Sequence, residues 1–226
     1  VDFDDYGQAF VTACVIPHAF HIIQAGRYHR QAGRHFDPYT FDDLKTIADH
    51  NHYAGGIADH AWWGGRNAAV HDDATSEAGG GHAHCGAMIY LGDNWPQSYR
   101  NSLMMSNIHG NRINREYLRP DGSGFIASHG RDVIFANDAW FRGISLRYGP
   151  DGAVYLIDWY DPNACHRASP EIWDRTNGRL FRIKYGDLSP RKVDLESATD
   201  EELIELHESE NDWFVRGARR VLQARH

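Results

Sequence analysis

The side chains best suited to chemistry lie outside the apolar runs of this sequence, before a predicted strand or at a break between two strands. Histidine dominates among them, with 15 in 226 residues. A neutral imidazole titrates near pH 7 and can take a proton from a hydroxyl group, whereas a guanidinium group can hold an anion. The sequence therefore predicts His84 or His109 as the catalytic base and Arg142 as the group that holds an anionic partner.

Several polar residues near these three are predicted to bind substrate or cofactor alongside Arg142. They are His82, Asn111, Asp161, His166 and Arg167. The alternative is that all of these side chains only cap turns or satisfy loop carbonyls, as Asp and Asn often do. The catalytic prediction requires the His84 ring, the His109 ring and the Arg142 guanidinium to converge on one concavity.

A metal site is not predicted. The sequence His82-Ala-His84 could place both rings on one side of a strand, which would suit two ligands of a metal ion. No Asp or Glu stands at a spacing that would supply an acidic third ligand. No residue is therefore assigned as a metal ligand from the sequence.

The cysteines give no sign of a disulfide framework or a zinc knuckle. Cys14, Cys85 and Cys165 are odd in number and widely spaced, so they are predicted to be small, half-buried thiols. Cys165-His166 matches the end of the haem-attachment motif C-x-x-C-H. Because Pro162 stands where the first cysteine would be, haem attachment within this chain is excluded.

The elements that must position these side chains are predicted to be β-strands in a repeated order. Apolar strands that begin near residues 9, 102 and 153 each follow a turn and precede a polar break. Once the polar stretch Phe36–Gly80 is set aside, they recur about every 50 residues, which is typical of four-stranded propeller blades. The prediction is an all-β, partial β-propeller of about two and a half blades, from a six-bladed parent. The alternative is an antiparallel meander or sandwich without radial symmetry.

Two other segments are predicted to be helical or functional. Thr40-Phe-Asp-Asp43 has the form of a capping box, which predicts a helix to about His50. The rest of Phe36–Gly80 is predicted to be a functional insertion that could act as a lid. Thr199-Asp-Glu-Glu202 and the stretch from Asn211 predict a C-terminal α-hairpin of HEAT-like type. The predicted domains are 1–188, including the insertion 36–80, and 189–226.

Loops on one face of such a propeller are predicted to form the site. In a blade, the residues before the innermost strand and those at the break between the second and third strands share a face, and the predicted site residues occupy these positions. The opposite face has simple turns such as Gly149-Pro-Asp-Gly152. Loops at one end of a rigid scaffold are where sites are commonly built.

Charge and hydropathy exclude some partners. The formal net charge is −8 and no block of basic residues is present, so nucleic acid is not a predicted partner. No run approaches the ~18 apolar residues of a membrane span. Val1 begins in the middle of a turn-like segment, so the chain is expected to be a piece of a longer protein, with any targeting signal upstream.

Several runs together resemble the membrane-bound dehydrogenase family of planctomycetes and their relatives, also described as PVC-type haem-binding proteins. These runs are Phe3–His18, Gly80–His84, Asn107–Arg112, Tyr148–Gly152, Ile157–Asp161, Glu171–Gly178 and the Asn211-Asp-Trp helix. The family is similar in its propeller to soluble quinoprotein glucose dehydrogenases, and it typically continues into helical repeats and a c-type cytochrome domain.

The resemblance implies an extracytoplasmic, periplasmic or membrane-associated oxidoreductase that oxidises an alcohol or sugar. It implies pyrroloquinoline quinone and calcium as cofactors, and electron transfer to haem c in a domain outside this chain. Two other functions stay open at this stage. One is a non-catalytic propeller that binds glycan or protein, and the other is a hydrolase or lyase that uses a bound metal.

Overall fold

The fold is known from a computed structural model, which describes residues 1–14, 17–30, 33, 35–36, 42–55, 73–81, 83–162 and 174–225. Within these residues the protein is mostly β-sheet with few helices, and its three antiparallel sheets are not closed on one another. The strand order in every sheet follows the chain, as expected where short turns connect antiparallel neighbours.

The three sheets are named by their position in the chain. The N-terminal sheet contains β1 (Asp2–Phe3), β2 (Ala9–Thr12) and β3 (Ala19–Ile22). The central sheet contains β4 (His84–Ile89), β5 (Ser102–Asn107), β6 (Arg112–Asp121) and β7 (Gly124–His129), and β8 (Ile134–Phe135) also pairs with β6. The C-terminal sheet contains β9 (Gly143–Tyr148), β10 (Val154–Asp158) and β11 (Arg179–Ile183).

The predicted strands that start near residues 9, 102 and 153 are confirmed as β2, β5 and β10. The β9–β10 hairpin is closed by the predicted turn, where Gly152 adopts a φ of 71° and the Gly149 amide donates to the Ala153 carbonyl. The apolar run of β10 predicts burial on both faces, and this is wrong. Ile157 is 51% exposed, because among the described residues no second layer covers that face.

The core lies where β4 packs between β9 and the β1–β2 pair. All six residues of β5 are buried, and Met88, Leu103, Leu146 and Leu156 are almost fully inaccessible. Burial of this kind contributes about 1.5–3 kcal/mol for each large apolar side chain. The apolar runs therefore fix the three sheets against one another.

A bulge in β4 depends on a glycine. The register with β5 shifts between Cys85 and Met88, and Gly86 has a φ of 66°. A Cβ at Gly86 would lie 2.9 Å from the Ile144 carbonyl oxygen of β9, so only glycine fits both the backbone and the space. The bulge lets β4 approach β9 closely beside His84.

The predicted helix from Thr40 to His50 is wrong where the structure describes it, over residues 42–50. There the backbone instead forms an irregular strand between two sheets, because the Ile47 amide donates to Ala19 of β3 and the Ile47 carbonyl accepts from Ala127 of β7. Asp43, predicted to complete a capping box, forms an ion pair with Arg27 at 2.6 Å. Pairing with two sheets satisfies backbone groups that a local helix would otherwise use.

Three α-helices are present in the described residues: α1 (Asp73–Ala78), α2 (Asp200–Glu205) and α3 (Asp212–Arg225). Two 3₁₀ turns cover Gln97–Tyr99 and Leu206–Glu208. The predicted capping box at Thr199 is confirmed, with both reciprocal hydrogen bonds to Glu202 present. None of the described helices is long and apolar enough to cross a membrane. The HEAT-like character of the α2–α3 pair and the domain boundary near residue 188 stay predictions.

Asn211, directly before α3, anchors the helix pair to the turns of two sheets. Its side chain is fully buried and donates to the Asp93 carboxylate at 2.9 Å and to the Gly149 carbonyl at 3.1 Å. We expect Asn211→Ala to lower the free energy of unfolding by about 2–3 kcal/mol, since buried polar partners would lose their hydrogen bonds. Urea denaturation measures this, with the exposed Asn177→Ala as control. Equal midpoints for the two variants would show that Asn211 does not anchor the helices.

Candidate metal centre

Four side chains from three separate segments of the chain meet in the space between the N-terminal and central sheets. They are His18, His50, His52 and Glu116. His18 directly precedes β3, and Glu116 lies within β6. His50 and His52 follow the irregular strand, whose position is fixed because its Ala48 bridges to Ala127 of β7. The sheets thus bring together residues that are up to 98 positions apart in the sequence.

The nitrogens of the three rings crowd around the Glu116 carboxylate. His52 Nε2 lies 2.9 Å from Glu116 Oε1, His18 Nε2 lies 3.6 Å from the same oxygen, and His50 Nε2 lies 3.4 Å from Oε2. The His50 and His52 Nε2 atoms are 3.1 Å apart. Two ligand atoms bound to one metal at about 2.1 Å are about 3.4 Å apart at a tetrahedral angle and about 3.0 Å apart at a right angle. The observed separations match these values.

Burial makes this arrangement energetically demanding. The side chains of Glu116 and His52 have no exposed surface, and that of His18 is 4% exposed. Burial alone would raise the pKa of Glu116, but hydrogen bonds from His129, His18, His50 and His52 hold that pKa well below its ordinary range. The carboxylate is therefore ionised, and an ionised buried carboxylate needs positive charge close by.

The imidazoles do not all supply that charge. Burial lowers the pKa of His52 to about 3, despite the hydrogen bond and charge of Glu116. Burial also lowers the pKa of His50, but the hydrogen bond and charge of Glu116 outweigh it and leave that pKa raised. His52 is thus a neutral ring with a nitrogen lone pair, which is the form that binds metal ions.

A count of protons shows that the cluster is poorly satisfied by its own hydrogen bonds. Among the described residues, neither oxygen of Glu116 nor the Nε2 of His18 has a hydrogen-bond partner of adequate geometry, although all three atoms are buried. Each neutral imidazole has one N–H and one acceptor nitrogen. Several lone pairs therefore face one another at short range, and a divalent cation between them would satisfy all of them together.

An outer layer of hydrogen bonds orients two of the rings. The far nitrogen of His50, Nδ1, lies 2.9 Å from Asp49 Oδ1, and Ser128 donates to the other oxygen of Asp49 at 2.5 Å. The far nitrogen of His52, Nδ1, lies 2.7 Å from His84 Nε2. A carboxylate or polar group behind a ligating imidazole is typical of metal sites, since it fixes the ring orientation and the tautomer.

The glycine run before β4 makes room for the His52 ring. Gly79 has a φ of 127°, and a Cβ there would lie 2.5 Å from the ring carbon Cδ2 of His52. The Gly81 amide donates to the His52 carbonyl at 2.6 Å. The glycines at 79–81 therefore form a close backbone wall that holds His52 in place.

The donor set indicates the class of metal. Imidazole nitrogens with one carboxylate suit zinc, iron, copper, nickel and other first-row transition metals. Calcium prefers six to eight oxygen ligands, so calcium does not fit this cluster. Within the described part of the chain, this is the group of side chains whose geometry fits a metal ion.

Of the predicted site residues, only His84 is in contact with the cluster. Its ring contacts those of His18 and His52, with centroids 4.9 and 4.7 Å apart. It occupies the outer layer, behind a candidate ligand, and its role as a catalytic base stays a prediction. His82, His166 and Arg167 lie outside the described residues.

Arg142, Asn111 and Asp161 lie together at the break loops of the central and C-terminal sheets. Arg142 and Asn111 both donate to the Phe141 carbonyl at 2.8 Å, and Arg142 also donates to the carbonyls of Ile108, beside His109, and Pro162. Burial lowers the pKa of Arg142 to about 10, and the charge of Asp161 opposes this shift. Because the terminal nitrogens of Arg142 bind backbone carbonyls, the described residues do not form a clamp for a large anion.

His109 is buried, and its neighbour Ile108 joins β4 through a hydrogen bond to the Ala83 carbonyl. The described contacts link the His109 loop to Arg142 and place His84 among the other histidines. The convergence of His84, His109 and Arg142 on one ligand stays a prediction.

Three members of the cluster, His50, His52 and Glu116, were not predicted from the sequence. The acidic ligand sought by spacing is on β6, 32 residues after His84, and it reaches the cluster only through sheet pairing. His50-Asn-His52 repeats the His-x-His spacing of His82-Ala-His84, and this repetition is the signal that could have identified the pair.

Comparisons with known proteins give a family but no characterised relative. No curated protein sequence matches the chain. A crystal structure from Thermus thermophilus, assigned as an oxidoreductase (glucose dehydrogenase), is similar with a TM-score of 0.43 and 14% sequence identity. The similarity covers 80% of this chain and 43% of that one, so this chain spans less than half of its length. The profile of one protein family matches residues 1–187. The chain therefore belongs to the family described as a domain of unknown function, DUF7133.

Proposed function

We propose that this domain binds one divalent first-row transition metal through His18, His50, His52 and Glu116, and that the metal is the centre of an enzyme site. The observation that carries this proposal is the buried Glu116 carboxylate, which has imidazole nitrogens 2.9–3.6 Å from its oxygens but no well-formed hydrogen bond among the described residues. A metal ion converts this unfavourable arrangement into a favourable one.

The distribution of exposed surface supports a catalytic rather than a purely structural metal. His18, His52 and Glu116 are buried, whereas the His50 side chain is 19% exposed and Asp49 behind it is 46% exposed. Structural metal sites are closed, and catalytic sites keep a position for water or substrate. One side of the cluster therefore faces solvent and leaves room for a small ligand.

A metal in this position would act on an oxygen-bearing small molecule. It would polarise a hydroxyl or carbonyl oxygen as a Lewis acid or activate a bound water. An alcohol or sugar substrate, implied by the resemblance described above, presents such oxygens. Both oxidation and metal-assisted hydrolysis or elimination are compatible with the donor set, and a redox-active metal would favour oxidation.

We also propose the quinoprotein-like dehydrogenase implied by the resemblance as a second candidate function. The observation that favours it is the threefold repetition of one antiparallel meander with first strands packed side by side, as in successive blades of a propeller. Pyrroloquinoline quinone and calcium, the cytochrome domain and the extracytoplasmic location belong to this proposal. Since Arg142 binds backbone carbonyls, no reaction step is assigned through the quinone.

A binding module for glycan or protein is the third candidate function, and it needs no metal. Metal stoichiometry separates it from the first proposal. We expect the purified protein, after dialysis against Co²⁺, Zn²⁺ or Fe²⁺ and desalting, to retain about one metal ion per chain by mass spectrometry, as the single donor cluster allows.

The matched variants are His52→Gln and His29→Gln, because His52 is buried in the cluster and His29 is exposed and not part of it. We expect His52→Gln to lose the metal and His29→Gln to keep it. Equal metal content in the two variants would contradict the proposed ligand set.

A further inference from the structure

We propose that His129 is a fifth ligand of the metal and that the sixth coordination position is open to solvent on the His129 side. This inference rests on the proposed metal site and deepens it. It assigns a coordination number, and with it a class of metal and a place for a small oxygen- or nitrogen-donor ligand to bind.

His129 is positioned by sheet pairing opposite a ligand. It is the last residue of β7 and lies directly opposite Glu116 of β6 in the antiparallel register. Directly opposed residues have Cβ atoms about 4.5–5.5 Å apart on the same face of a sheet. Both side chains can therefore reach one ion without any change of the backbone.

The distances to the other donor atoms fit a ligand at right angles to its neighbours. His129 Nδ1 lies 3.0 Å from His52 Nε2 and 3.9 Å from Glu116 Oε1. The first value equals the separation of about 3.0 Å for two ligands at a right angle with bonds of about 2.1 Å. The second is slightly less than the separation of about 4.2 Å for ligands on opposite sides of such an ion.

An acidic residue behind His129 repeats the pattern of the outer layer. His129 Nε2 lies 3.8 Å from Asp132 Oδ1. Arg112 at 2.9 Å and Asn114 at 2.7 Å hold that carboxylate in place. A carboxylate on the Nε2 side favours the tautomer in which Nδ1 presents its lone pair to the cluster.

Exposure shows where the remaining position lies. The His129 side chain is 27% exposed, whereas those of His52 and Glu116 are fully buried. The solvent-facing side of the cluster is therefore the side of His129 and His50. Five protein donors exceed the four that zinc takes in most protein sites. The set thus favours a metal that accepts six ligands, such as ferrous iron, manganese or cobalt.

Cobalt(II) is the probe that tests this directly, because its visible absorption is weak in six-coordinate sites and intense in tetrahedral ones. We expect the cobalt-loaded wild-type protein to show a weak spectrum that shifts when azide fills the open position. His129→Ala should intensify the absorption and weaken cobalt binding by at least the roughly 10–100-fold that loss of an outer-shell partner costs. Added imidazole should restore the wild-type spectrum.

The exposed variant His29→Ala is the control and should keep the wild-type spectrum and affinity. Rescue by imidazole shows that the His129→Ala protein is folded, and far-UV circular dichroism checks this independently. An intense tetrahedral spectrum that is the same in the wild type and in His129→Ala would overturn the role of His129 while leaving the four-ligand site intact. Failure of the wild type to bind cobalt or any other tested metal would overturn the metal site itself.

Discussion

Glu116→Gln is expected to abolish high-affinity metal binding while leaving the shape of the site almost unchanged. Glutamine is nearly isosteric with glutamate, so the packing at this fully buried position is kept. The substitution removes the one negative charge among the candidate ligands. We expect the dissociation constant to rise by well over the 10–100-fold that outer-shell substitutions cost. Competition titration against a chromogenic chelator measures this change.

The matched control is Glu205→Gln, which removes the same charge from an exposed position on α2. Its affinity for the metal should equal that of the wild type. If Glu116→Gln also binds metal as tightly as the wild type, the carboxylate is not a ligand. The cluster would then be a structural network of polar groups.

Removal of the metal is expected to lower the melting temperature substantially. A ligand at 100 times its dissociation constant stabilises the folded state by about 2.7 kcal/mol. In a chain of 226 residues, 1 kcal/mol corresponds to about 2–4 °C. We therefore expect a chelator to lower the melting temperature of the metal-loaded protein by about 5–11 °C, as measured by scanning calorimetry.

Two comparisons give this experiment its meaning. Adding back metal in excess of the chelator should restore the original melting temperature. The Glu116→Gln protein should melt at the same temperature with and without chelator. A chelator effect of equal size in this variant would show that the stabilising ion binds elsewhere.

The strands were predictable because their signals are local. The turn Gly149–Gly152 and the apolar residues on either side of it specify one hairpin without reference to the rest of the chain. The same is true of the Thr199 capping box, whose two hydrogen bonds involve residues three apart. Features of this kind depend on backbone preferences and on burial patterns that a single sequence displays.

The segment before His50 shows where local signals fail. Thr40-Phe-Asp-Asp43 has the pattern of a helix start, but Ile47 pairs with β3 and β7 at once. Hydrogen bonds to two sheets outweigh a helix propensity that differs by only a few tenths of a kcal/mol per residue. The long insertion in the predicted repeat therefore contributes strand-like pairing and two candidate ligands.

The candidate site could not be assembled from spacing because its members come from different sheets. His18 precedes β3, Glu116 is on β6, and His52 follows a segment that lies between them. Their proximity depends on the register that places Glu116 opposite His129. Of the predicted catalytic residues, His84 is beside this site because β4 begins at the same end of the sheets.

The most direct test of the metal centre is an anomalous-difference map from a crystal of the metal-loaded protein, recorded at the absorption edge of the bound metal. We predict one strong peak about 2.0–2.2 Å from the Nε2 atoms of His18, His50 and His52 and from a carboxylate oxygen of Glu116. A metal-loaded crystal with no anomalous peak between these four side chains would contradict the proposed metal centre.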